Sequence, residues 1–597
     1  MNTPASRSRV PNWWPVYGIL AALCWMAFWP AVNAGFSDFD DHGFLLETDH
    51  WRGLSPSHLF AIASTNRLGH YQPLTYLSHA IEFTLFGLNP AVFHSTNILL
   101  HAVCACLVAR ITARVVGLWS PGIPESSTRF AGLIAAALWA TNPLRVENVA
   151  WLTERRDVLS GALLLGAVLA YLHTPNRRAY LWCAGLLTLS LLSKAWGITF
   201  AAVALLIDVC PLRRLPVEFW RWGRAEYRPV LLEKLPLFAL GAVFAAVAIR
   251  AQAGASDETL LTVADWGPVE RVCQACYGLV FYVRKTLLPT GLSPLYELPA
   301  TASPTEARFA ASIAAVLLSL LAVGWAAFKA GPRGLAVCVA VLVYAAVVSP
   351  VLGLTQSGIQ LVADRYAYLA TVPLFALLAG AVGRGLGGPP SRRLSVALGA
   401  AALTLMGAAM CVAQSRSWRD TRQLWDRAFA AGQDGPVLRN FRGRQFEKSK
   451  QFVEAEAAYR ESLSRSPKYG DSWFGLGNSL RAQRRLDDAL DAYAKAGQLM
   501  RDPLPAIVAR GLVRVSDQAR PDLAIAEFKA AVDATEARGN PGRTGSPYLL
   551  LAAAYGAAGN DAAAVEWLKK AYDFEDTRPQ AEEHLREMGL VPAPGQR

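Results

Sequence analysis

The stretch 13–32, WWPVYGILAALCWMAFWPAV, is closely followed by an acidic stretch, GFSDFDDHGFLLE at 35–47. The first stretch is apolar over about 20 residues, enough for a helix to cross the hydrocarbon core of a bilayer. The second brings three carboxylates, Asp38, Asp40 and Asp41, just past that crossing. Acids do not help to anchor a helix against anionic lipid. We therefore expect these acids to have a task at the membrane surface.

Composition divides the chain into two parts. Of its 597 residues, 53% are hydrophobic and only 17% are charged, whereas ordinary soluble domains carry about a quarter charged residues. Apolar windows of about 20 residues recur through the first part and are absent from the second. We predict a transmembrane domain over 1–414, a linker over 415–436 and a soluble domain over 437–597.

Eleven segments of the first part are apolar enough to be predicted as spans. They are 13–33, 94–116, 130–144, 157–173, 179–193, 196–210, 233–250, 308–328, 334–354, 366–386 and 394–414. Lys and Arg concentrate in alternate loops, which the positive-inside rule assigns to the cytoplasmic side. This topology explains the net charge of +12, and we find no nucleic-acid motif.

The loop 34–93 falls on the outer side in this topology and contains two stretches with apolar residues at helical spacing, which predict short surface helices. The segment 270–290 contains Arg284 and Lys285. If it crossed, the later basic loops would face outward, so we expect it to lie in the interface or to re-enter. An odd number of spans then puts the C-terminal domain on the same side as the acids.

The C-terminal part contains repeats. WFGLGNSLRAQRRLDDALDAYAKA at 473–496 has the small and aromatic residues of a tetratricopeptide repeat, and Gly443 and Tyr459 precede Gly477 and Tyr493 by 34 positions. We predict about four repeats stacked as an α-solenoid. Such arrays most often bind a peptide or a segment of a protein.

Ionisable residues beside membrane spans are costly and are usually functional or paired. Three further groups fall on the predicted outer side: TNPLRVENVAWLTERRDVLS at 141–160, Lys194 in LLSKAWG, and LVADRYAYLA at 361–370. Basic residues at this depth can neutralise a lipid-linked phosphate, and a carboxylate can take the proton of an acceptor hydroxyl. The pattern favours group transfer from a lipid phosphate. The alternative, in which these residues only pair to close the bundle, stays open.

Histidines concentrate in the first outer loop and the span after it. His94, Asn97 and His101 lie on one face of a predicted helix. A metal site is one interpretation of this face, and polar packing inside the bundle is the more ordinary one.

The order and spacing of these motifs resemble the transmembrane-and-tetratricopeptide-repeat O-mannosyltransferases, and more distantly the protein O-mannosyltransferases, which are polytopic glycosyltransferases of the GT-C class. The resemblance rests on FDDHGFL, HYQPLTYLSHAIEFTLFGLNPAVFHSTNILLHA, NPLRVENVAWLTERRDVLS, LLSKAWGITF, DVCPLRRL, ADRYAYLA and the repeats. It implies an all-α fold, in which a GT-C type transmembrane bundle of about 11 spans precedes the tetratricopeptide α-solenoid.

The resemblance implies an inverting glycosyltransferase. It would move a monosaccharide, mannose or another hexose, from a polyprenyl-phosphate donor to an extracytoplasmic acceptor, expected to be a protein Ser or Thr hydroxyl, while the repeats bind the acceptor or a partner protein. Asp40 and Asp41 match the acidic pair that holds the catalytic acid, with a slight preference for Asp41 as the base. The residues expected to bind substrate are Arg145, Glu147, Arg155, Arg156, Asp157, Lys194, Asp364, Arg365, Tyr366 and His94.

The net charge of +12 suggests a multi-pass protein of a bacterial inner membrane, and the predicted topology puts the active site and the repeats on the periplasmic side. No cofactor or metal ligand is assigned, and a divalent metal stays an open alternative. Two other functions also stay open: a GT-C enzyme that glycosylates lipid or polysaccharide, and a non-catalytic membrane scaffold that recruits partners through its repeats.

Overall fold

The computed structural model describes residues 12–37, 39–67, 69–253, 266–329, 331–354, 358–386, 388–500, 502–537, 544–588 and 590. Asp38 of the acidic loop lies outside these residues. Contacts divide the chain into two compact units, Met1–Gln433 and Asp434–Arg597. Nearly all regular structure in both units is helical, as expected for an all-α fold.

Eighteen helices can be followed through the described part of the first unit. They are α1 (Trp14–Phe28), α2 (Pro56–Ser64), α3 (Pro73–Phe86), α4 (Pro90–Trp119), α5 (Glu125–Ala140), α6 (Val146–Ala150), α7 (Arg155–Tyr171), α8 (Arg177–Ser193), α9 (Phe200–Val209), α10 (Arg228–Leu232), α11 (Leu235–Ala253), α12 (Pro268–Leu287), α13 (Ala307–Lys329), α14 (Gly331–Val348), α15 (Ala367–Ala370), α16 (Val372–Leu386), α17 (Pro390–Arg416) and α18 (Thr421–Ala430). A short antiparallel pair, β1 (Tyr296–Glu297) and β2 (Gln360–Val362), lies among them.

Each of the eleven predicted spans coincides with a helix, but fewer of these helices are long and apolar enough to cross a membrane by themselves. Among the described residues six qualify: Trp14–Asn33, Pro90–Trp119, Ala225–Gln252, Ala307–Ala327, Arg333–Val351 and Pro390–Arg416. A seventh is added if α15 and α16, which are bent by 53° in the stretch Asp364–Leu386, form one broken span. Helices α5, α7 and α8 have only 16 or 17 residues. The chain is thus a helical membrane protein, while the span count of about eleven stays a prediction.

Local sequence explains where many of these helices begin. Proline occupies the first turn of α1, α3, α4, α12 and α17, where its missing N–H costs nothing. The Asn89 side chain caps α4 by accepting a hydrogen bond from the Ala91 N–H. Small residues then let the long helices approach closely: a Cβ on Gly132 of α5 would lie 2.5 Å from the Ala109 carbonyl oxygen of α4.

The segment 415–436 was predicted to be a linker, and the structure differs. It contains the end of α17 and all of α18. Trp425 of α18 is buried and packs edge-on against Phe39 of the acidic loop, with ring centroids 5.3 Å apart. The aromatic content of α18 gives it a buried face, which a flexible linker would lack.

The second unit consists of paired helices. In its described residues the pairs are α19 (Pro436–Lys448) with α20 (Phe452–Arg465), α21 (Gly470–Ala482) with α22 (Leu486–Leu499), α23 (Leu504–Leu512) with α24 (Pro521–Ala537), and α25 (Ser546–Ala557) with α26 (Asp561–Tyr572), followed by α27 (Arg578–Glu587).

The same glycine contact recurs in three of these pairs. A Cβ on Gly443 or on Gly477 would lie 2.6 Å from the ring of Tyr459 or Tyr493, respectively, and one on Gly511 would lie 2.4 Å from a phenylalanine ring. The first helix of each pair must therefore have a glycine, without a side chain, where the aromatic residue of the second helix packs. This geometry is the physical basis of the 34-residue repeat.

Candidate active site

The candidate site lies where four connecting segments of the first unit meet. They are the acidic loop after α1, the turns before α7, the turn Ala195–Thr199 after α8, and the turn Asp364–Tyr366 after β2. Each segment interrupts or ends a helix, so its side chains can converge on a shared space. The charged motifs at 141–160, at 194 and at 361–370 are brought together in this way.

Asp41 is saturated with hydrogen bonds. Its carboxylate is 1% exposed. One oxygen accepts hydrogen bonds from the Ser37 N–H at 2.8 Å and the Ser37 hydroxyl at 2.9 Å, and the other accepts from the Thr153 N–H at 3.0 Å and the Thr153 hydroxyl at 2.6 Å. Asp41 therefore ties the acidic loop to the turn before α7.

Asp40 has the opposite environment. It is partly buried, and within the described residues its carboxylate makes no hydrogen bond or ion pair. Burial raises the pKa of Asp40 to about 7, against the opposing effect of the nearby Arg156 and Arg365. A carboxylate with a pKa near neutrality and free oxygens is suited to accept a proton.

Three cations converge on one buried carboxylate, Glu154, which is completely inaccessible to solvent. Arg156 lies 2.7 Å and Lys194 lies 2.9 Å from its oxygens. Arg365 approaches the same carboxylate at 3.6 Å. Although burial by itself favours the neutral acid, Arg156 and Lys194 hold the pKa of Glu154 well below its usual range. The charge of Glu154 thus gathers the cations.

Two further acids hold the outer sides of this cation cluster. Asp157 accepts from the Trp196 indole N–H at 2.6 Å and lies 2.6 Å from the Lys194 ammonium. Glu147 accepts from the backbone N–H of Arg365 at 2.9 Å and forms an ion pair with its guanidinium. Both acids therefore position cations.

Asp364 and Tyr366 lie beside this cluster. The Tyr296 hydroxyl donates to the Asp364 carboxylate at 2.9 Å, which joins β1 to the turn Asp364–Tyr366. The Tyr366 hydroxyl accepts from the Gln360 amide at 2.9 Å. The Arg365 guanidinium lies over the Tyr366 ring, 4.9 Å from its centroid.

Three of the residues expected to bind substrate lie in other surroundings. Arg145 is fully buried and donates to the Trp139 carbonyl oxygen at 3.2 Å and the Thr371 hydroxyl at 2.6 Å. Arg155 donates to Glu82 at 3.1 Å. His94 is buried in α4. None of these contacts is with the cation cluster, so the role of these three residues in binding substrate stays a prediction.

Two residues outside the predicted binding set belong to the site. Glu154 was visible only as an acid within a charged run, and its central place depends on Lys194 and Arg365, which are far away in the chain. His70 was visible only as one of many histidines. Burial and the nearby Arg156 and Lys194 lower the pKa of His70 well below its ordinary value, so its ring is neutral at pH 7.

Two residues of the face formed by His94, Asn97 and His101 make hydrogen bonds inside the bundle. The His101 ring contacts the Tyr368 hydroxyl at 2.8 Å and the Ala140 carbonyl oxygen at 3.1 Å. Asn97 donates to backbone carbonyls of the turn before α7. In the part of the chain that the structure describes, no group of three His, Cys, Asp or Glu side chains is arranged to hold a metal ion.

An apolar cavity of about 300 Å³ lies inside the bundle. It is lined from α4, α7, α9, α14 and α16. Trp196, which hydrogen-bonds Asp157, stands on its wall. Trp119 and Arg384 also line this cavity. Trp196 and Asp157 therefore connect the cation cluster to a space suited to a hydrocarbon chain.

Comparison with curated proteins gives partial matches. No family model matches the chain. It is similar to protein O-mannosyl-transferase TMTC2 of Mus musculus, with 32% identity over 161 residues, which are 25% of this chain and 18% of that protein. It is also similar to protein O-mannosyl-transferase Tmtc1 of Drosophila melanogaster, with 29% identity over 203 residues, which are 32% of this chain and 22% of that protein. The resemblance predicted from the motifs is confirmed, although the matches span only about a fifth of these relatives.

Solved structures give looser matches. One is ArnT from Cupriavidus metallidurans bound to undecaprenyl phosphate, with 14% identity, a TM-score of 0.35 and coverage of 81% of this chain and 80% of that one. Another is a thermophilic tetratricopeptide-repeat protein of Thermus thermophilus, with 20% identity, a TM-score of 0.24 and coverage of 33% of this chain and 97% of that one. Superpositions with TM-scores this low do not establish a shared fold or a shared ligand.

Proposed function

We propose that the protein is a membrane glycosyltransferase that moves a monosaccharide, mannose or another hexose, from a polyprenyl-phosphate donor to an acceptor hydroxyl, with inversion at the anomeric carbon. One observation carries this proposal. A carboxylate without hydrogen bonds, Asp40, lies beside a buried cluster of three cations, which is connected to an apolar cavity through Asp157 and Trp196. Base, phosphate site and lipid site are thus adjacent.

The cation cluster binds the phosphate of the donor. Arg156, Lys194 and Arg365 neutralise the charge that the donor phosphodiester already carries and the second charge that develops as the bond to the sugar breaks. Glu154 keeps the three cations together when no donor is bound, because buried like charges would otherwise repel each other. The polyprenyl chain occupies the apolar cavity beside Trp196.

Asp40 is the general base. It takes the proton of the acceptor hydroxyl as the oxygen attacks the anomeric carbon from the face opposite the phosphate. The new carbon–oxygen bond forms as the bond to the phosphate oxygen breaks, and polyprenyl phosphate leaves. This role reverses the slight preference for Asp41, because the lone pairs of Asp41 that face Ser37 and Thr153 are already occupied.

The acceptor is a Ser or Thr hydroxyl of a protein, and the helical repeats of the second unit bind the acceptor polypeptide. The names of the relatives support a protein acceptor. Solenoids of helix pairs are commonly peptide-binding surfaces, which supports the role of the repeats. The active site and the repeats face the periplasm of a bacterial inner membrane, in a topology of eleven spans.

The test is a transfer assay in membranes that contain the full chain. Polyprenyl-phosphate mannose with a labelled sugar is supplied, other labelled hexose donors are used in parallel, and label is measured separately in protein, lipid and glycan. We expect label in protein and a loss of about 10²- to 10⁴-fold in Asp40→Asn. Asp49→Asn is the matched control, since Asp49 is an exposed acid of the same loop.

Two outcomes would change the proposal. Label in lipid or glycan alone would keep the enzyme class and discard the protein acceptor. Folded protein that transfers none of the sugars would contradict catalysis and favour the scaffold.

A further inference from the structure

A second cavity lies at the other end of the bundle from the candidate active site. Helix α4 contacts the active-site turns near its beginning, at Asn97, and ends at Trp119. Its 30 residues correspond to a length of about 45 Å. The second cavity has a volume of about 640 Å³ and is lined by residues that include Trp119, Val209, Arg213, Tyr227 and Leu335. It is therefore too far from the cation cluster to share its ligand phosphate.

One arginine of this cavity is left without an acidic partner. Arg214 and Lys234 together neutralise the two neighbouring acids, since Arg214 pairs with Asp208 at 3.2 Å and Glu233 at 2.6 Å, and Lys234 pairs with Asp208 at 2.7 Å. Arg213 is exposed and makes no ion pair with any residue that the structure describes. This cation is therefore available to an anion.

The backbone and an aromatic ring together position Arg213. Its φ is +55°, a left-handed conformation that residues other than glycine rarely adopt. Its guanidinium lies over the Trp119 ring, 4.9 Å from the centroid. Trp119 also lines the apolar cavity described above. The charge is thus presented at the boundary between a polar and an apolar surface.

The segment after Arg213 has the composition of a membrane interface. Val217, Phe219 and Trp220 are 57% to 71% exposed, and Arg221 and Arg224 follow them. Exposed aromatic residues interleaved with arginines are typical of segments that lie among lipid headgroups. The cavity therefore lies beside a segment that can contact both the headgroup and the acyl chains of a lipid.

We propose that the second cavity binds an anionic phospholipid. Its phosphate contacts Arg213, and its glycerol and acyl chains lie against Trp119, Tyr227 and Leu335. Phospholipid is favoured over a free anion because most of the lining is apolar, and an anionic headgroup is favoured because Arg213 has no internal counter-ion. This site does not depend on the proposed sugar transfer.

The full chain, purified in detergent, is tested by native mass spectrometry with phosphatidylglycerol and phosphatidylcholine of identical acyl chains. The wild type is expected to prefer phosphatidylglycerol by about tenfold, because both lipids offer a phosphate to Arg213 but the choline cation of phosphatidylcholine cancels its net charge. Arg213→Gly is expected to abolish the preference without harming the fold, since glycine adopts a positive φ freely. Arg213→Lys retains charge and should keep part of the preference.

Arg392→Ala is the matched control, because Arg392 is an exposed basic residue of α17 that does not line the cavity. Its preference for phosphatidylglycerol should equal that of the wild type, and millimolar inorganic phosphate should not displace the lipid. The proposal is overturned by equal binding of the two phospholipids to the wild type, by an unchanged preference in Arg213→Gly, or by an equal loss in Arg392→Ala. Displacement of phosphatidylglycerol by polyprenyl phosphate would assign the cavity to that carrier instead.

Discussion

Replacing the adjacent aspartates of the acidic loop by asparagine should have different effects: Asp41→Asn should lower stability, and Asp40→Asn should abolish transfer. In Asp41→Asn one carboxylate oxygen becomes an NH₂ group, which faces two hydrogen-bond donors of either Ser37 or Thr153. The hydroxyl can rotate and accept from the amide, but the backbone N–H cannot. One buried donor is left unpaired and the other bonds lose their charge assistance, so we expect a loss of about 2–4 kcal/mol in the free energy of unfolding.

Asp40→Asn removes no hydrogen bond from the described structure. Because burial disfavours the charged form of Asp40, the neutral amide should leave the free energy of unfolding unchanged or raise it, while transfer is lost. The two variants are compared by thermal unfolding of detergent-purified protein and by sugar transfer per folded molecule. Asp41→Asn should unfold at the lower temperature and keep activity in its folded fraction. The reasoning is refuted if Asp41→Asn is stable and inactive, or if Asp40→Asn is the unstable variant.

The pH dependence of transfer should follow the ionisation of Asp40, whose pKa is about 7. Its proton-accepting form rises from about a tenth at pH 6 to about nine tenths at pH 8, and the rate of transfer should rise with it. A flat pH profile would contradict this role. Glu154→Gln should lower the free energy of unfolding by about 3 kcal/mol because Arg156 loses its counter-ion, whereas Lys194 keeps Asp157 and Arg365 keeps Glu147, and added polyprenyl phosphate should raise the unfolding temperature more in this variant than in the wild type. In the repeats, Gly477→Ala places a methyl 2.6 Å from an aromatic ring and should cost about 1–2 kcal/mol, whereas Gly497→Ala, with its nearest neighbour at 3.8 Å, should stabilise slightly as measured by chemical unfolding. Removal of 437–597 should abolish transfer to protein while donor binding persists, and unchanged transfer to protein would exclude the repeats from acceptor binding.

Much of the fold could be predicted because it depends on local composition. A run of about 20 apolar residues forms a helix in a membrane-like setting whatever surrounds it, and all eleven predicted spans coincide with helices. The repeats were predictable because Gly443 and Gly477 recur at a spacing that only helix pairs require. The linker was misjudged because the buried face of α18 depends on a partner, Phe39, nearly 400 positions earlier.

The types of residue in the candidate site could be predicted from the sequence, but which individual residues meet there could be predicted less well. Charged residues beside membrane spans indicated that carboxylates and cations would meet on one side of the bundle. The sequence could not separate the two neighbouring arginines at the start of α7. Arg155 contacts Glu82, whereas Arg156 pairs with Glu154 near Asp40.

By itself, then, the sequence determined the helices, the repeats and the types of residue available for group transfer from a lipid phosphate, because each follows from local hydrophobicity, spacing and charge. Only the tertiary structure decided which groups act together. Successive residues of a helix point about 100° apart, so Arg155 and Arg156 face different neighbours. Asp41 has no free oxygen because the fold brings Thr153, 112 positions away in the chain, to donate two hydrogen bonds to it. Among the described residues, Asp40 receives no such donor and keeps its oxygens free.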